Sequence, residues 1–232
     1  MTNPIYVAVD KPNLDAAISL CQQIKAYVGG IKLGKEFIAG CGPEGIRTIA
    51  ELGLPIFADV KFHDIPNTVA SAILALAPLR PAIINVHTAG GSKMMQAAAA
   101  ACQQIEKQYH YRPLIIGVTI LTSLSQEEIE EVGYQLPIAE QTLLLAKLAQ
   151  SSGLDGVVCS SHEIKAIKEA CGQDFKTIVP GIRPSWAAAG DQTRIMTPKQ
   201  ALAEGADYLV IGRPITQADN PAQACQDILN EL

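Results

Sequence analysis

The sequence predicts a closed (β/α)8 barrel, a TIM barrel, and three observations lead to that prediction. Eight short apolar segments alternate with helix-like segments across residues 1–232, without a linker or a break in composition. Such alternation gives parallel strands joined by right-handed crossovers. The length suits eight units in one barrel domain. A doubly wound open sheet is the alternative, although no G-x-G-x-x-G motif follows the first strand.

The first four units follow from apolar runs and from residues that begin or stop helices. Asn13 is a helix N-cap, and the glycine pair after the first helix ends it. Pro81 ends the third helix, and an alanine run favours the fourth. The predicted strands are residues 5–10, 31–34, 54–61 and 82–87, and the predicted helices are residues 14–24, 44–52, 68–79 and 92–108.

The last four units have similar signals. A capping-box pattern at Ser125 predicts a short helix, and Pro198 and Pro221 each open a later one. A longer loop, residues 184–197, precedes the helix at Pro198. The predicted strands are residues 114–121, 156–160, 177–183 and 208–214, and the longer helices between them are residues 138–151 and 162–170.

The composition argues against several classes of protein. The formal net charge of −5 is mildly acidic, so a nucleic acid is not an expected partner. We find no signal-peptide pattern and no apolar run near membrane-spanning length, and we therefore expect a cytoplasmic protein without a membrane partner. The six cysteines lack metal-ligand spacing and are interpreted as reduced thiols, mostly in the core.

One charged stretch stands directly after a buried apolar run. Asp59 and Lys61 are two residues apart, so they share one face of a strand, while Val60 takes the other face. Asp64 follows just past the predicted strand end, on a loop that Pro66 helps to define. The stretch has two possible roles. It is either a buried ion pair whose charges only neutralise one another, or a functional site.

Other polar residues fall at the ends of different predicted strands. In a (β/α)8 barrel the active site lies at the carboxyl ends of the strands, where these side chains would converge on one mouth. This convergence favours the functional interpretation. The residues concerned are Asp10, Lys32, Asp59, Lys61, His87, Thr122, Arg183 and Arg213.

The last two strand ends predict a phosphate site. Each places a glycine beside an arginine, as Gly181 with Arg183 and Gly212 with Arg213. Glycine lets main-chain N–H groups approach an anion, and arginine supplies a forked cation. Loops after strands seven and eight commonly bind phosphate in these barrels.

A metal site is the competing interpretation of the acids. A hard cation prefers carboxylate oxygens, which Asp10, Asp59 and Asp64 would supply. The interleaved Lys32 and Lys61 would repel a cation, so we predict an electrostatic site without a metal.

Three aromatic residues near this region have less distinctive surroundings. His87 is interpreted as a bridge between two strands in the core. His63 is interpreted as a support for its loop, with ligand contact as the alternative. Trp186 is interpreted as a packing residue, with closure of a lid as the alternative.

Several motifs of the chain resemble those of a known family. The run Asp-Val-Lys-Phe-His-Asp-Ile-Pro-Asn-Thr, residues 59–68, closely resembles the signature of the orotidine 5′-phosphate decarboxylase family. The Asp-x-Lys-x-x-Asp core alone is shared by a wider group of sugar-phosphate barrels, whereas the longer form is much more specific. The resemblance covers essentially the full chain and includes residues 7–10, 31–34, 118–123, 179–183, 190–192 and 210–214.

The resemblance implies the conversion of orotidine 5′-phosphate to uridine 5′-phosphate and carbon dioxide, without metal or organic cofactor. It implies a charged network of Lys32, Asp59, Lys61 and Asp64. In this network Lys61 would protonate the carbanion that forms at carbon 6 of the pyrimidine when carbon dioxide leaves. It implies a homodimer in which Asp64, Ile65 and Thr68 complete the neighbouring subunit's site. The other implied substrate contacts are Asp10 and Lys32 at the ribose, Thr122 and Ser123 near the pyrimidine, and Pro180, Arg183, Gln192, Gly212 and Arg213 around the phosphate and its closing loop.

Two other functions remain open from sequence. One is a sugar-phosphate decarboxylase or aldolase of the wider barrel group that uses magnesium on the acids. The other is a nucleotide-binding regulator that kept the fold. The intact alternation of acid and lysine argues against the regulator, because binding alone does not need it.

Overall fold

The fold is a closed barrel of eight parallel strands, seen in a computed structural model that describes residues 3–187 and 196–232. Each strand pairs with the next along the chain, and the first closes the ring on the last, with Val7 opposite Ile31 on one side and Ile211 on the other. The predicted (β/α)8 barrel is therefore confirmed. The strands are β1 Ile5–Ala8, β2 Gly30–Leu33, β3 Ile56–Phe62, β4 Ile83–His87, β5 Leu114–Val118, β6 Gly156–Val158, β7 Lys176–Val179 and β8 Tyr208–Ile211.

The helices surround this ring. Asn13 caps the first through a side-chain hydrogen bond to the Ala16 N–H, as predicted. The α-helices of the described residues are α1 Leu14–Ile24, α2 Lys35–Ala50, α3 Pro66–Leu76, α4 Gly91–Tyr109, α5 Gln126–Glu131, α6 Ile138–Ser151, α7 Ile164–Cys171, α8 Pro198–Ala203, α9 Arg213–Thr216 and α10 Pro221–Asn230. Short 3-10 turns lie at Ala77–Leu79, Thr88–Gly90 and Ser161–Glu163. None of the helices in the described parts of the chain is long and apolar enough to span a membrane.

The predicted boundaries of one helix and of several strands are wrong, for different reasons. The second helix begins at Lys35 and not at residue 44, because two helical segments join across Gly42, whose φ of 61° interrupts the helix. Several strands end earlier than predicted, so Asp10, Thr122 and Arg183 lie on loops beyond them, and Arg213 begins α9. Their side chains thus belong to the segments that cover the barrel mouth.

The strands divide their side chains between two apolar clusters. Ile5 and Val7 of β1 belong to the larger cluster, which also contains the buried residues of the helices, whereas Tyr6 between them belongs to a smaller one. This alternation is the two-residue period of a strand. The smaller cluster therefore fills the inside of the barrel and consists of Tyr6, Phe57, Ile83, Ile116, Ile178 and Val210.

The cysteines are free thiols, and five of the six are buried. Burial raises the pKa of Cys21, Cys102 and Cys225 to about 12, so these thiols stay protonated near neutrality. They behave as small apolar core residues, in agreement with their interpretation from sequence.

Candidate active site

A chain of alternating charges lies at the carboxyl end of the first three strands. The Lys61 ammonium donates to Asp59 Oδ1 at 2.5 Å, and Lys32 Nζ lies 3.1 Å from Asp59 Oδ2. Lys32 Nζ is also 3.4 Å from Asp10 Oδ1. Asp59 and Lys32 are buried, each with 8% of its surface exposed. The structure thus brings together four of the residues predicted from sequence.

The Asp59 carboxylate stays ionised despite its burial. Burial alone would raise its pKa, but the charges of Lys32 and Lys61 and the hydrogen bonds from Lys61 and Asn85 outweigh that effect. The pKa of Asp59 therefore lies below its ordinary value. The cluster presents a fixed negative charge between two ammonium groups at neutral pH.

The main chain at Lys61 departs from a regular strand. Lys61 has a φ of 51°, in the left-handed region that residues other than glycine seldom adopt. The pairing of β3 with β4 also shifts register between Ala58 and Phe62. Val60 packs against the outer apolar core. It therefore lies on the opposite face of β3 from Asp59 and Lys61, as predicted, despite the register shift.

Gly34 leaves the space that the pair of Asp10 and Lys32 occupies. A Cβ at this position would overlap Asp10 Oδ1 and would stand 3.0 Å from Lys32 Nζ. Any side chain here would push one of the two charged groups away. Gly34 therefore belongs to the architecture of the site although it carries no reactive group.

An apolar cavity of about 210 Å³ opens beside the charged cluster. Its walls combine inward-facing strand residues with the loop after β5, where Thr122 and Ser123 lie. Lys32, Asp59 and Lys61 border it on the polar side. A chamber of this volume, apolar on most sides and charged on one, suits a small organic group with a polar edge.

A second, more polar cavity of about 430 Å³ adjoins the first. Lys32, Pro180 and Val210 line both cavities, so they form one continuous cleft. The far end carries Arg183 and Arg213 with the Gly212 main chain. Arg183 is buried, whereas Arg213 is exposed. The two arginines predicted from sequence thus lie at one end of the cleft.

Some predicted residues do not join the cluster. Asp64, Ile65 and Thr68 are exposed on the loop after β3 and at the start of α3, and Ile65 has 66% of its surface exposed. Asp64 Oδ1 accepts a hydrogen bond from the Ile65 N–H. Gln192, together with the Gly-Asp-Gln motif of residues 190–192, lies outside the described residues.

The aromatic residues differ partly from their interpretation. His63 stacks on His87 with ring centroids 5.5 Å apart, which agrees with a support for the loop. The Nδ1 atom of His87 is buried without a hydrogen-bond partner in the described parts of the chain, and the bridge between two strands stays a prediction. Burial, followed by the charges of His63, Lys61 and Lys35, lowers the pKa of His87. The packing interpretation of Trp186 is wrong, because 49% of its surface is exposed and it lines a cavity with the two arginines.

Asn85 is the residue of the site that sequence reasoning missed. It lies on β4, is fully buried, and makes hydrogen bonds to both Asp59 and the Lys61 main chain. Its signal in the sequence is an amide inside the otherwise apolar run 83–86. A buried amide needs hydrogen-bond partners, so an amide in such a run indicates polar groups on an adjacent strand.

The described residues contain no group of three or more His, Cys, Asp or Glu side chains disposed to hold a metal ion. The acids of the cleft instead alternate with lysines. Within the parts of the chain that the structure describes, this donor set suits an anionic ligand more than a cation.

Fold and cleft together define a (β/α)8 barrel with an acid–lysine cluster beside an apolar chamber and two arginines at its far end. Residues 3–228 match the model of the Orotidine 5′-phosphate decarboxylase / HUMPS family, and the chain belongs to this family.

Named relatives are similar along their whole length. The chain is 48% identical to an orotidine 5′-phosphate decarboxylase of Paramagnetospirillum magneticum, over 100% of this chain and 99% of that protein. It is 48% identical to one of Sphingopyxis alaskensis, over 98% of each. A crystal structure of orotidine 5′-phosphate decarboxylase from Lactobacillus acidophilus is 38% identical, with a TM-score of 0.87 over 99% of this chain and 98% of that one.

Proposed function

We propose that the chain converts orotidine 5′-phosphate to uridine 5′-phosphate and carbon dioxide, the last step of de novo pyrimidine nucleotide synthesis. The observation that carries this proposal is the Lys61 ammonium, held 2.5 Å from the buried Asp59 carboxylate at the edge of an apolar chamber. The full-length similarity to named decarboxylases supports it. One catalytic domain over residues 1–232 would carry the reaction.

The chemistry accounts for this pairing of charges. The bond between carbon 6 of the pyrimidine and the carboxylate breaks, carbon dioxide leaves, and the electron pair stays on carbon 6. No neighbouring π-system delocalises this pair, so a fixed ammonium must stabilise it as it develops. Lys61 then donates a proton to carbon 6 and recovers one from solvent, which balances the reaction.

Asp59 and Lys32 prepare the cluster for this step. Asp59 contacts the Lys61 ammonium and would face the departing carboxylate. Lys32 neutralises Asp59 and, with Asp10, faces the part of the cleft that the ribose hydroxyls would occupy. Because these charges are held by one another before the substrate binds, little reorganisation is needed in the transition state. The mechanism uses no metal or organic cofactor.

The two arginines explain how a remote group assists the reaction. Arg183, Arg213 and the Gly212 main chain would hold the phosphate, with Pro180 beside them and Gln192 on the loop. Thr122 and Ser123 would contact the pyrimidine at the other end. Binding energy from the phosphate would then orient the reacting ring against Lys61.

A homodimer is part of the proposal. Asp64, Ile65 and Thr68 are exposed, and in the described parts of the chain none of them lines either cavity of the cleft. Ile65 has 66% of its surface exposed, and a contact with a partner subunit would bury this apolar side chain. In the dimer these three residues would complete the site of the partner subunit. The free thiols fit a reducing, cytoplasmic location.

The test is the absorbance of orotidine 5′-phosphate mixed with purified protein in excess EDTA. We expect loss of substrate absorbance and formation of uridine 5′-phosphate. Activity only after added magnesium would favour the sugar-phosphate decarboxylase or aldolase alternative. Tight binding of uridine 5′-phosphate with no turnover under either condition would favour the regulator.

A further inference from the structure

We infer that Asn85 is a positioning residue of this reaction, one that sets the geometry of Asp59 and Lys61 without touching the substrate. The inference rests on the proposed function and concerns how the same site is held. It follows from one buried amide that bonds to both residues of the reacting pair.

The contacts of Asn85 are short and complementary. Its Nδ2 donates to Asp59 Oδ1 at 2.7 Å, and its Oδ1 accepts from the Lys61 main-chain N–H at 2.7 Å. The partners fix which end of the amide is which, because an ionised carboxylate only accepts and a main-chain N–H only donates. Both ends of the side chain are therefore committed to the catalytic segment of β3.

The first contact governs the Asp59 carboxylate. Asp59 Oδ1 accepts from both Asn85 and the Lys61 ammonium, while Oδ2 lies 3.1 Å from Lys32 Nζ. Asn85 thus fixes the rotation of the carboxylate, so that each oxygen meets a different lysine. Without the amide, the carboxylate is free to turn toward either lysine, and the Lys61 ammonium moves with it.

The second contact governs the main chain of Lys61. The left-handed φ of 51° and the register shift remove the Lys61 N–H from the regular ladder between β3 and β4. Asn85 replaces that lost partner from the adjacent strand. A buried N–H without a partner is costly, so the amide stabilises an otherwise unfavourable conformation. The same side chain therefore determines where the Lys61 side chain begins and where its ammonium ends.

Two substitutions separate these roles. Asn85→Leu has a similar size and removes both contacts. Asn85→Asp keeps an acceptor for the Lys61 N–H but sets a second carboxylate against Asp59. Two such carboxylates share a proton, and one of their pKa values rises strongly. Once that proton is bound, the pair again offers a donor to Asp59 and an acceptor to Lys61, as the amide does.

The experiment measures kcat and KM for orotidine 5′-phosphate between about pH 8 and pH 5, a range that covers the raised pKa of such a pair. For Asn85→Leu we expect kcat to fall by about 100-fold, the cost of a misplacement near 1 Å, with KM changed by less than about threefold. For Asn85→Asp we expect kcat, relative to the unsubstituted protein, to rise as the pH falls. A role in folding alone would not produce this pH dependence.

The matched control is Thr88→Val. Thr88 is also fully buried, and its hydroxyl donates to the Val118 carbonyl at 2.8 Å and not to Asp59 or the Lys61 main chain. It tests the loss of a buried side-chain hydrogen bond by itself. We expect a lower melting temperature with kcat unchanged within about twofold, because no catalytic contact is lost.

The outcomes distinguish failure of the positioning role of Asn85 from failure of the proposed decarboxylase function. An unsubstituted protein that leaves orotidine 5′-phosphate intact overturns the proposed function. In that event carbon-13 NMR of the aspartate carboxyls still tests the positioning, since Asn85→Asp must contain a carboxyl that titrates above the ordinary aspartate range. Turnover by the unsubstituted protein with an unchanged kcat in Asn85→Leu, or a flat relative pH profile in Asn85→Asp, overturns the positioning role. If Asn85→Leu does not fold, the pH profile of kcat for Asn85→Asp decides whether Asn85 has the positioning role.

Discussion

Two clusters of one aspartate and two lysines lie at opposite ends of the barrel. At the mouth, Asp59 pairs with Lys32 and Lys61. At the other end, just before β8, Asp207 pairs with Lys168 at 2.6 Å and with Lys176 at 3.1 Å. The charge pattern is the same, and in both places the pKa of the aspartate is lowered by its lysines and hydrogen bonds in spite of burial. Neither charge nor pKa separates them.

The difference is in what the remaining hydrogen-bonding groups do. Lys168 Nζ also donates to the carbonyls of Gln173 and Phe175, and the Thr177 N–H donates to Asp207. All three protons of that ammonium are thus used by the protein. In the described parts of the chain, the one hydrogen bond of the Lys61 ammonium is to Asp59, and Lys61 borders the cavity. A cluster filled by main-chain groups holds the fold, whereas one with donors to spare at a cavity can act on a ligand.

The largest expected effect is at the mouth. Lys61→Ala should lower kcat by at least about 10³-fold, since in the proposed mechanism Lys61 supplies both the stabilising charge and the proton. The free energy of unfolding should fall by less than about 3 kcal/mol, because the buried Asp59 carboxylate keeps Lys32 and Asn85 as partners. Steady-state kinetics and urea unfolding measure the two quantities. Lys176→Ala is the control with the same charge change, and substantial turnover by Lys61→Ala would remove Lys61 from its role.

The opposite result is expected at the other end. Lys168→Met should cost about 3–5 kcal/mol of the free energy of unfolding, because it leaves the Asp207 carboxylate and two carbonyls short of a donor. Turnover per folded molecule should not change. Urea unfolding, with kcat corrected for the folded fraction, checks both statements. Lys176→Met is the matched control, since its ammonium is more exposed on the same aspartate; equal losses in the two variants would contradict the assignment.

A smaller effect is expected from Gly34→Ala. The added methyl group displaces Asp10 or Lys32 and should reduce kcat/KM by about tenfold, equivalent to about 1.4 kcal/mol. Gly29→Ala is a poor control because its Cβ would clash with the main chain of Asn3. Gly212→Ala would make only ordinary contact with Ala8, but it lies at the proposed phosphate site. The variant is therefore compared with Asp10→Asn, which weakens the same pair without adding volume. A normal kcat/KM in Gly34→Ala would show that the site tolerates the displacement.

The smallest expected effect is the loss of stability at low pH, and here the two clusters should behave alike. Both aspartates have a pKa below the unfolded value, so each contributes stability that is present above about pH 4 and is lost as the pH falls through its folded pKa. Urea unfolding at decreasing pH should show a smaller acid-induced loss in Asp59→Asn and in Asp207→Asn than in the unsubstituted protein. A reduced loss in only one variant would show that the other aspartate is not stabilised by its lysines.

The barrel and most of the charged residues at its mouth could be predicted from the sequence, because the strand period and the position of charges at strand ends are local patterns. Local patterns do not report the conformation of Lys61, which is set by pairing with β4. Nor do they reveal Asn85 as a partner, because its two contacts cross between strands. The cluster around Asp207 could not be predicted either, because its lysines come from α7 and β7 and contact it only in the folded chain. The start of α2 was missed because glycine and proline within it resemble a loop.

The pairing of β1 with β8 has a consequence for the order of events during synthesis. Ile5 lies opposite Leu209, so the ring closes only when the last strand has left the ribosome. Asp10, Lys32 and Asp59 come from the first units, whereas Arg183 and Arg213 come from the last two. The nascent chain therefore holds one half of the cleft long before the other half exists. Ligand binding across the cleft is then a property of the finished chain alone, and a ribosome-stalled fragment without β8 should have no affinity for a nucleotide.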